Sequence, residues 1–156
     1  MIIEKNDEYF MRKAFRLGLE AYKQGEVPIG AVIVKDGVVI GEGYNQVELL
    51  RDATAHAEMI ALTSAENHQD NWRLIDCTLY VTVEPCMMCT GAILLSRVSR
   101  IVYGVADPRM GFMETKYNGV KDLNLYKKVE VFGGIMEAEI RELMLEFFKK
   151  IREKSK

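Results

Sequence analysis

His56-Ala57-Glu58, followed thirty positions later by Pro85-Cys86-Met87-Met88-Cys89, supplies one imidazole, two thiols and a carboxylate at a spacing that suits a metal ion. One nitrogen and two sulfur ligands leave zinc an open fourth position, and a water held there has its pKa brought toward neutrality. The pattern points to a catalytic zinc and a hydrolytic reaction, with Glu58 free to handle protons beside the metal instead of binding it.

Other readings of the same residues are weaker. A Cys-x-x-Cys pair also occurs in zinc ribbons and redox proteins, but a redox pair leaves His56 and Glu58 without a purpose. A structural zinc needs a fourth ligand, and the candidates Cys77 and His68 stand at no finger-like spacing from the others. Cys77 lies in Leu74-Ile75-Asp76-Cys77-Thr78-Leu79-Tyr80, the approach to a buried strand, where a small thiol packs as a hydrophobe. His68 belongs to the polar run Glu66-Asn67-His68-Gln69-Asp70-Asn71 and is expected on an exposed loop.

Several elements must converge to position these groups. Asp7 is expected to cap a first helix, whose apolar residues Phe10, Met11, Ala14, Phe15, Leu17 and Ala21 recur at helical spacing up to Gln24-Gly25. Strands over 30–35 and 38–43, joined by Asp36-Gly37, read as an antiparallel hairpin. A second helix is predicted over 54–66, a strand over 78–83, and a third helix starting at the cysteines. Strands over 101–104 and 128–132 and a final helix over 136–150 complete the order. Cys86 and Cys89, three apart in a first helical turn, share one face. With His56 near the start of its own helix, two helix N-termini aim at one point and favour thiolate over thiol. The order of elements gives a mixed sheet with helices on both faces. The stretch 107–127 is too long for a simple connection and is expected to be functional or mobile.

At 156 residues, 49% apolar and 28% charged, the composition is that of one globular domain spanning 1–156. No apolar run approaches the ~20 residues of a membrane helix, and the first eight residues lack the marks of a secretory signal, so no membrane role is expected. Three cysteines, two of them at ligand spacing, suit a reducing cytoplasm. A net charge of −2 offers no global attraction to nucleic acid. The local exception is the C-terminus, where Lys149, Lys150, Arg152, Lys154 and Lys156 oppose only Glu153. Such cations also suit the negative end of a helix dipole.

The His-x-Glu and Pro-Cys-x-x-Cys signature resembles that of the zinc-dependent nucleobase deaminases of the cytidine deaminase superfamily. Within it, the bacterial tRNA adenosine deaminases are the most similar branch. The likeness runs through Glu26-Val27-Pro28-Ile29-Gly30-Ala31-Val32, Gly41-Glu42-Gly43-Tyr44-Asn45, Thr54 to Leu62, Trp72-Arg73-Leu74-Ile75-Asp76, and Leu79 to Cys89. It continues to Tyr103-Gly104 and returns in Phe147-Phe148-Lys149-Lys150-Ile151-Arg152.

The resemblance implies a three-layer α/β/α fold with a central five-stranded mixed sheet and one zinc per subunit, held by His56, Cys86 and Cys89. It implies hydrolytic conversion of adenosine to inosine at the wobble position of a tRNA anticodon loop, by attack of zinc-activated water on purine C6 with Glu58 as proton shuttle. Asn45 and the backbone N–H of Ala57 would contact the base, and Ile29 would wall the pocket. Asp107, Phe147, Phe148 and Arg152 match residues near the substrate strand, although the two phenylalanines also satisfy the core-facing pattern of their helix. A homodimer is part of the same expectation.

Departures fall where a large substrate would be recognised. A small-residue Gly-and-Ser loop is usual after Asp107-Pro108, and here Met110-Gly111-Phe112-Met113-Glu114-Thr115-Lys116-Tyr117-Asn118-Gly119 follows. Tyr126-Lys127 replaces the usual Asn-His. Deamination of a free base or nucleoside therefore stays open, although guanine deaminases more often have Pro-Phe-Gly where this chain has Pro28-Ile29-Gly30. A zinc-stabilised binding module without activity is the third reading.

Overall fold

The computed structural model describes residues 4–123, 125 and 129–155. Eleven elements follow one another among them: α1 (Asp7–Lys23), β1 (Gly30–Lys35), β2 (Val38–Tyr44), α2 (Val47–Leu50), α3 (Ala57–His68), β3 (Thr78–Val83), α4 (Met87–Leu95), β4 (Arg100–Val105), α5 (Gly119–Leu123), β5 (Glu130–Phe132) and α6 (Glu137–Lys154). The five strands form one mixed sheet in the order β2-β1-β3-β4-β5. β1 is antiparallel to both β2 and β3, whereas β3, β4 and β5 run parallel.

Alternation along the central strands sends side chains to two cores. Ala31, Ile33, Leu79, Val81, Ile101 and Tyr103 face one side, where Ala57, Ala61, Leu62, Cys89 and Ile93 of α3 and α4 cover them. Val32, Val34, Tyr80 and Val102 face the other, under Phe10, Met11 and Ala14 of α1 and Ile140 of α6. The three layers are those expected. The β1–β2 hairpin turns at Asp36 and Gly37, both with positive φ (51° and 73°), which is the backbone that a twisted two-residue hairpin demands.

Glycines in β2 set how closely α3 approaches. A Cβ on Gly43 would stand 2.4 Å from the carbonyl oxygen of Ala57, and one on Gly41 would stand 2.5 Å from that of Ala61. The first two turns of α3 thus lie directly on the β2 backbone, and the start of that helix is registered to the sheet.

The structure corrects several sequence expectations. Asn6, not Asp7, caps α1, its side chain accepting from the Tyr9 N–H at 3.0 Å. Asp7 instead pairs with Arg100 at 2.6 Å and accepts from the Tyr80 hydroxyl at 2.8 Å, a bidentate charged contact joining α1 to β3 and β4. α3 begins at Ala57, not at 54, because Asp52 Oδ1 accepts both the N–H and the hydroxyl of Thr54 and holds that segment in a turn. His68 ends α3 as an exposed helical residue rather than lying in a loop. The last strand spans 130–132, shorter than the predicted 128–132, with Lys128 outside the described residues. Tyr126-Lys127 also lies outside them. The short helices α2 and α5 were not anticipated.

Candidate active site

His56 and Cys86 are both helix N-caps in extended backbone, His56 for α3 and Cys86 for α4. The first amides of each helix have no carbonyl four residues earlier within that helix to receive them. Two positive helix ends therefore face one region, as the spacing implied. Cys89, one turn into α4, is buried and points to the same place.

The ligand atoms of His56, Cys86 and Cys89 all lie within 4.8 Å of one another. His56 Nδ1 stands 3.7 Å from Cys86 Sγ and 3.5 Å from Cys89 Sγ. Glu58, only 4% exposed, is buried beside this triad, where the charges of Cys86 and His56 act on it. The Cys86 thiol is held down to about 4, first by a hydrogen bond from Cys89 and then by His56 against the opposing effect of burial. Cys89 is pushed far up by its bond to Cys86 and by burial. The hydrogen bond with Cys86 raises His56. Burial first, and then the charge of Cys86, raise the Glu58 carboxyl to about 7. An imidazole and two thiols, one of them readily ionised, form a donor set of the kind zinc takes, and Glu58 is placed beside it without belonging to it.

Cys77 stands outside this group, its thiol reaching the Ile75 carbonyl oxygen at 3.7 Å. His68 lies at the far end of α3 from His56.

The substrate candidates divide by location. Asn45, 7% exposed, donates its backbone N–H to the Ile29 carbonyl at 3.0 Å, while Gln46 donates to Ala55 at 3.0 Å. These bonds bring Ile29 and Asn45 alongside the residues that lead into His56. The Asn45 side-chain oxygen is buried with no partner, so its amide has bonding capacity left for a ligand. Ala57 opens α3 and is fully buried. Asp107 is half-buried just beyond β4, and its Oδ1 accepts from the N–H groups of Arg109 and Met110, both at 3.0 Å. Phe147, Phe148 and Arg152 lie on α6, in the layer that α1 shares. Phe147 is buried against Tyr22 and Phe148, with ring centroids 6.3 and 5.3 Å away, which is the core role their spacing also allowed. Arg152 is exposed.

Sequence reasoning missed two buried glutamates. Glu26 accepts the N–H groups of Glu48 (3.2 Å) and Leu49 (2.8 Å), and so holds the start of α2 just after Asn45. Glu84, 3% exposed, holds the segment after β4 in a similar way. The available signal was an acidic residue one or two places before a proline beside apolar strand residues, as in Glu26-Val27-Pro28 and Val83-Glu84-Pro85.

Comparisons with known proteins agree with this geometry. Residues 4–105 match the cytidine and deoxycytidylate deaminase zinc-binding region. The chain is 42% identical over 148 residues to the tRNA-specific adenosine deaminase of Streptococcus pyogenes serotype M1, covering 95% of this chain and 86% of that one. It superposes with a TM-score of 0.83 and 38% identity on a structure from work on A-to-I editing by tRNA:A34 deaminases at the wobble position, covering 86% of this chain and 98% of that one. A guanine deaminase from Bacillus subtilis matches with a TM-score of 0.63 and 43% identity, over 65% of each chain.

Proposed function

The chain belongs to the cytidine and deoxycytidylate deaminase zinc-binding family, and from that premise we propose that it hydrolytically deaminates adenosine to inosine at the wobble position of tRNA anticodons. The observation that carries the chemistry is the His56–Cys86–Cys89 triad, its ligand atoms within 4.8 Å of one another, with the buried carboxylate of Glu58 two residues from His56 and outside that ligand group. The similarity to tRNA-specific adenosine deaminases along 95% of the chain supports the substrate.

His56, Cys86 and Cys89 would hold the zinc. Bound there, zinc supplies a Lewis acid that acidifies water. Glu58 takes one proton from the attacking water and passes it to a ring nitrogen of the purine, then carries the second water proton from the new C6 hydroxyl to the amine as the C6–N bond breaks, so that inosine and ammonia leave. Asn45 offers its unpaired side-chain oxygen to the base, the Ala57 N–H at the open end of α3 donates to the base edge, and Ile29 walls the pocket. Asp107, Phe148 and Arg152 meet the nucleotides around it, while Phe147, buried against Tyr22, supports Phe148 from the core. An unpaired anticodon base enters such a pocket at little unstacking cost.

We read residues 1–156 as one deaminase domain, because both cores share the single sheet. A homodimer fits α4, which carries no charged residue and leaves Met87 (67%) and Leu95 (56%) exposed, with Gly91 between them one turn from each. Among the described residues no helix is long and apolar enough to cross a membrane, and all three cysteines are free thiols. That state suits the cytoplasm, where tRNA is processed.

The likeness to a guanine deaminase favours a second reading, deamination of a free base or nucleoside. Zinc-loaded protein assayed on an anticodon stem-loop with adenosine at the wobble position, beside adenine, adenosine, guanine, cytosine and cytidine, separates the two. Inosine in the stem-loop alone supports the RNA substrate, and turnover of a free ring with the stem-loop inert overturns it.

A further inference from the structure

Glu84 is the last residue before Pro85-Cys86, yet nothing in the chemistry above uses its carboxylate. It is 3% exposed, and both oxygens are engaged by a single loop. Oε1 accepts the N–H of Asp107 at 3.1 Å, and Oε2 accepts those of Glu114 at 2.9 Å and Thr115 at 3.0 Å. The neighbouring residue takes part, since the Pro85 carbonyl accepts the N–H of Phe112 at 3.0 Å. Tyr103 closes the far side by donating its hydroxyl to Glu114 at 2.6 Å. Gly111 leaves room for this arrangement, because a Cβ there would stand 2.5 Å from Glu84 Oε1 and 2.5 Å from the Asp107 carbonyl oxygen. The segment that the sequence marked as functional or mobile is thus clasped between 107 and 115 by a buried carboxylate.

The clasp sits where specificity would be set. β3 and β4 are parallel neighbours, Cys86 follows the end of β3 and Asp107 follows the end of β4. In an open sheet, ligands bind beyond the carboxyl ends of such strands. One side of the Glu84 segment carries a zinc ligand, and the other carries the loop whose sequence departs from the family pattern.

We propose that Glu84 is a positioning residue for substrate recognition, holding the 107–115 loop as a fixed wall beside Cys86 against which the nucleotide next to the reacting base docks. The proposal rests on the RNA reading of the site. A displaced wall removes a docking contact that the ground and transition states share, weakening binding by roughly tenfold or more. That loss appears in KM, whereas a purely structural role lowers zinc content and kcat together.

The test compares the unaltered protein with Glu84→Gln and Gly111→Ala. The glutamine sets an amide N–H2 against either the Asp107 N–H or the Glu114 and Thr115 pair, and the alanine disturbs the same contact from the loop side. For each, zinc per chain, kcat and KM on the anticodon stem-loop, and hydrogen exchange at the amides of 107, 114 and 115 are measured. The expected result is full zinc, kcat within about threefold of the unaltered protein, KM raised roughly tenfold or more, and faster exchange confined to those amides. An unchanged KM in both variants overturns the proposal, as does a kcat that falls in step with zinc while KM holds. Should Glu84→Gln lose its zinc, Gly111→Ala decides by the same KM criterion. An unaltered protein inert on the stem-loop but active on a free ring overturns the RNA reading instead. Exchange at the three amides then decides whether Glu84 clasps the loop.

Discussion

The imidazole of His56 and the thiol of Cys86 face each other across 3.7 Å, each at the cap position of a different helix. Residues thirty apart in sequence meet because β3, running beneath both helices, returns the chain to the point where α3 began. Both cap positions bring a metal held there beside the positive ends of two helices.

Glu58→Gln keeps the size of the buried side chain and removes its capacity to carry a proton. Turnover is expected to fall by a factor of about 10²–10⁴, with zinc content and melting temperature preserved. Steady-state kinetics with metal analysis on the same sample checks this, and activity surviving the change removes Glu58 from the reaction.

Removing zinc with a chelator should abolish turnover and lower the melting temperature, and adding zinc back should restore both, since a ligand bound only to the folded state stabilises it by mass action. Cobalt in its place should show a three-ligand protein site with an exchangeable water. A closed four-ligand spectrum would instead favour the binding-module reading.

Asn45→Ala should separate recognition from folding. The buried side-chain oxygen has no partner in the chain, so its removal releases an uncompensated group and leaves thermal stability unchanged or higher. The same change should cut kcat/KM by about tenfold or more, through loss of a substrate hydrogen bond of roughly 1.5 kcal/mol. A large fall in melting temperature would show that the amide supports the fold.

Gly43→Ala places a methyl 2.4 Å from the Ala57 carbonyl and forces the start of α3 off the sheet. Overpacking of this kind costs about 1–3 kcal/mol, readable as a lower urea midpoint. Because Ala57 follows His56, zinc affinity should weaken as well. Retained zinc affinity with reduced stability would show that α3 yields elsewhere.

Stability should also carry an acid-sensitive contribution from Asp7. Its carboxyl is held below the usual 3.8, chiefly by the hydrogen bond from Arg100, while burial followed by the bond to Asp7 pushes the Tyr80 hydroxyl up to about 12. A carboxyl depressed in the folded state contributes stability that is fully present above its unfolded value near 3.8 and is lost as pH falls through the folded value. Asp7→Asn should therefore lower the melting temperature at neutral pH and flatten its decline in acid. Parallel curves for the two proteins would remove Asp7 as the source.

Much of this was legible in the residues. The ligand types and their spacing named the metal and the reaction class, and period-two and helical patterns placed β1, β3 and α1 because both signals arise from neighbours along the chain. What local pattern could not supply was competition between partners. Asp7 fits a cap as well as Asn6 does, and only Arg100, brought across from β4, decided between them. Gly41 and Gly43 read as weak strand residues until α3 is seen resting on them.

By itself, then, the sequence determined which atoms could bind zinc, which carboxylate could move protons, and which segments would be strand or helix, since these depend on side-chain chemistry and short-range periodicity. The tertiary structure alone decided that Glu26 and Glu84 clasp the segments beside the site, that Asn45 keeps an unpaired buried oxygen, and that Phe147 is spent in the core. Each of these depends on which distant backbone donors and side chains reach a buried group once the sheet has formed, and a buried polar atom takes whatever partner the packing delivers.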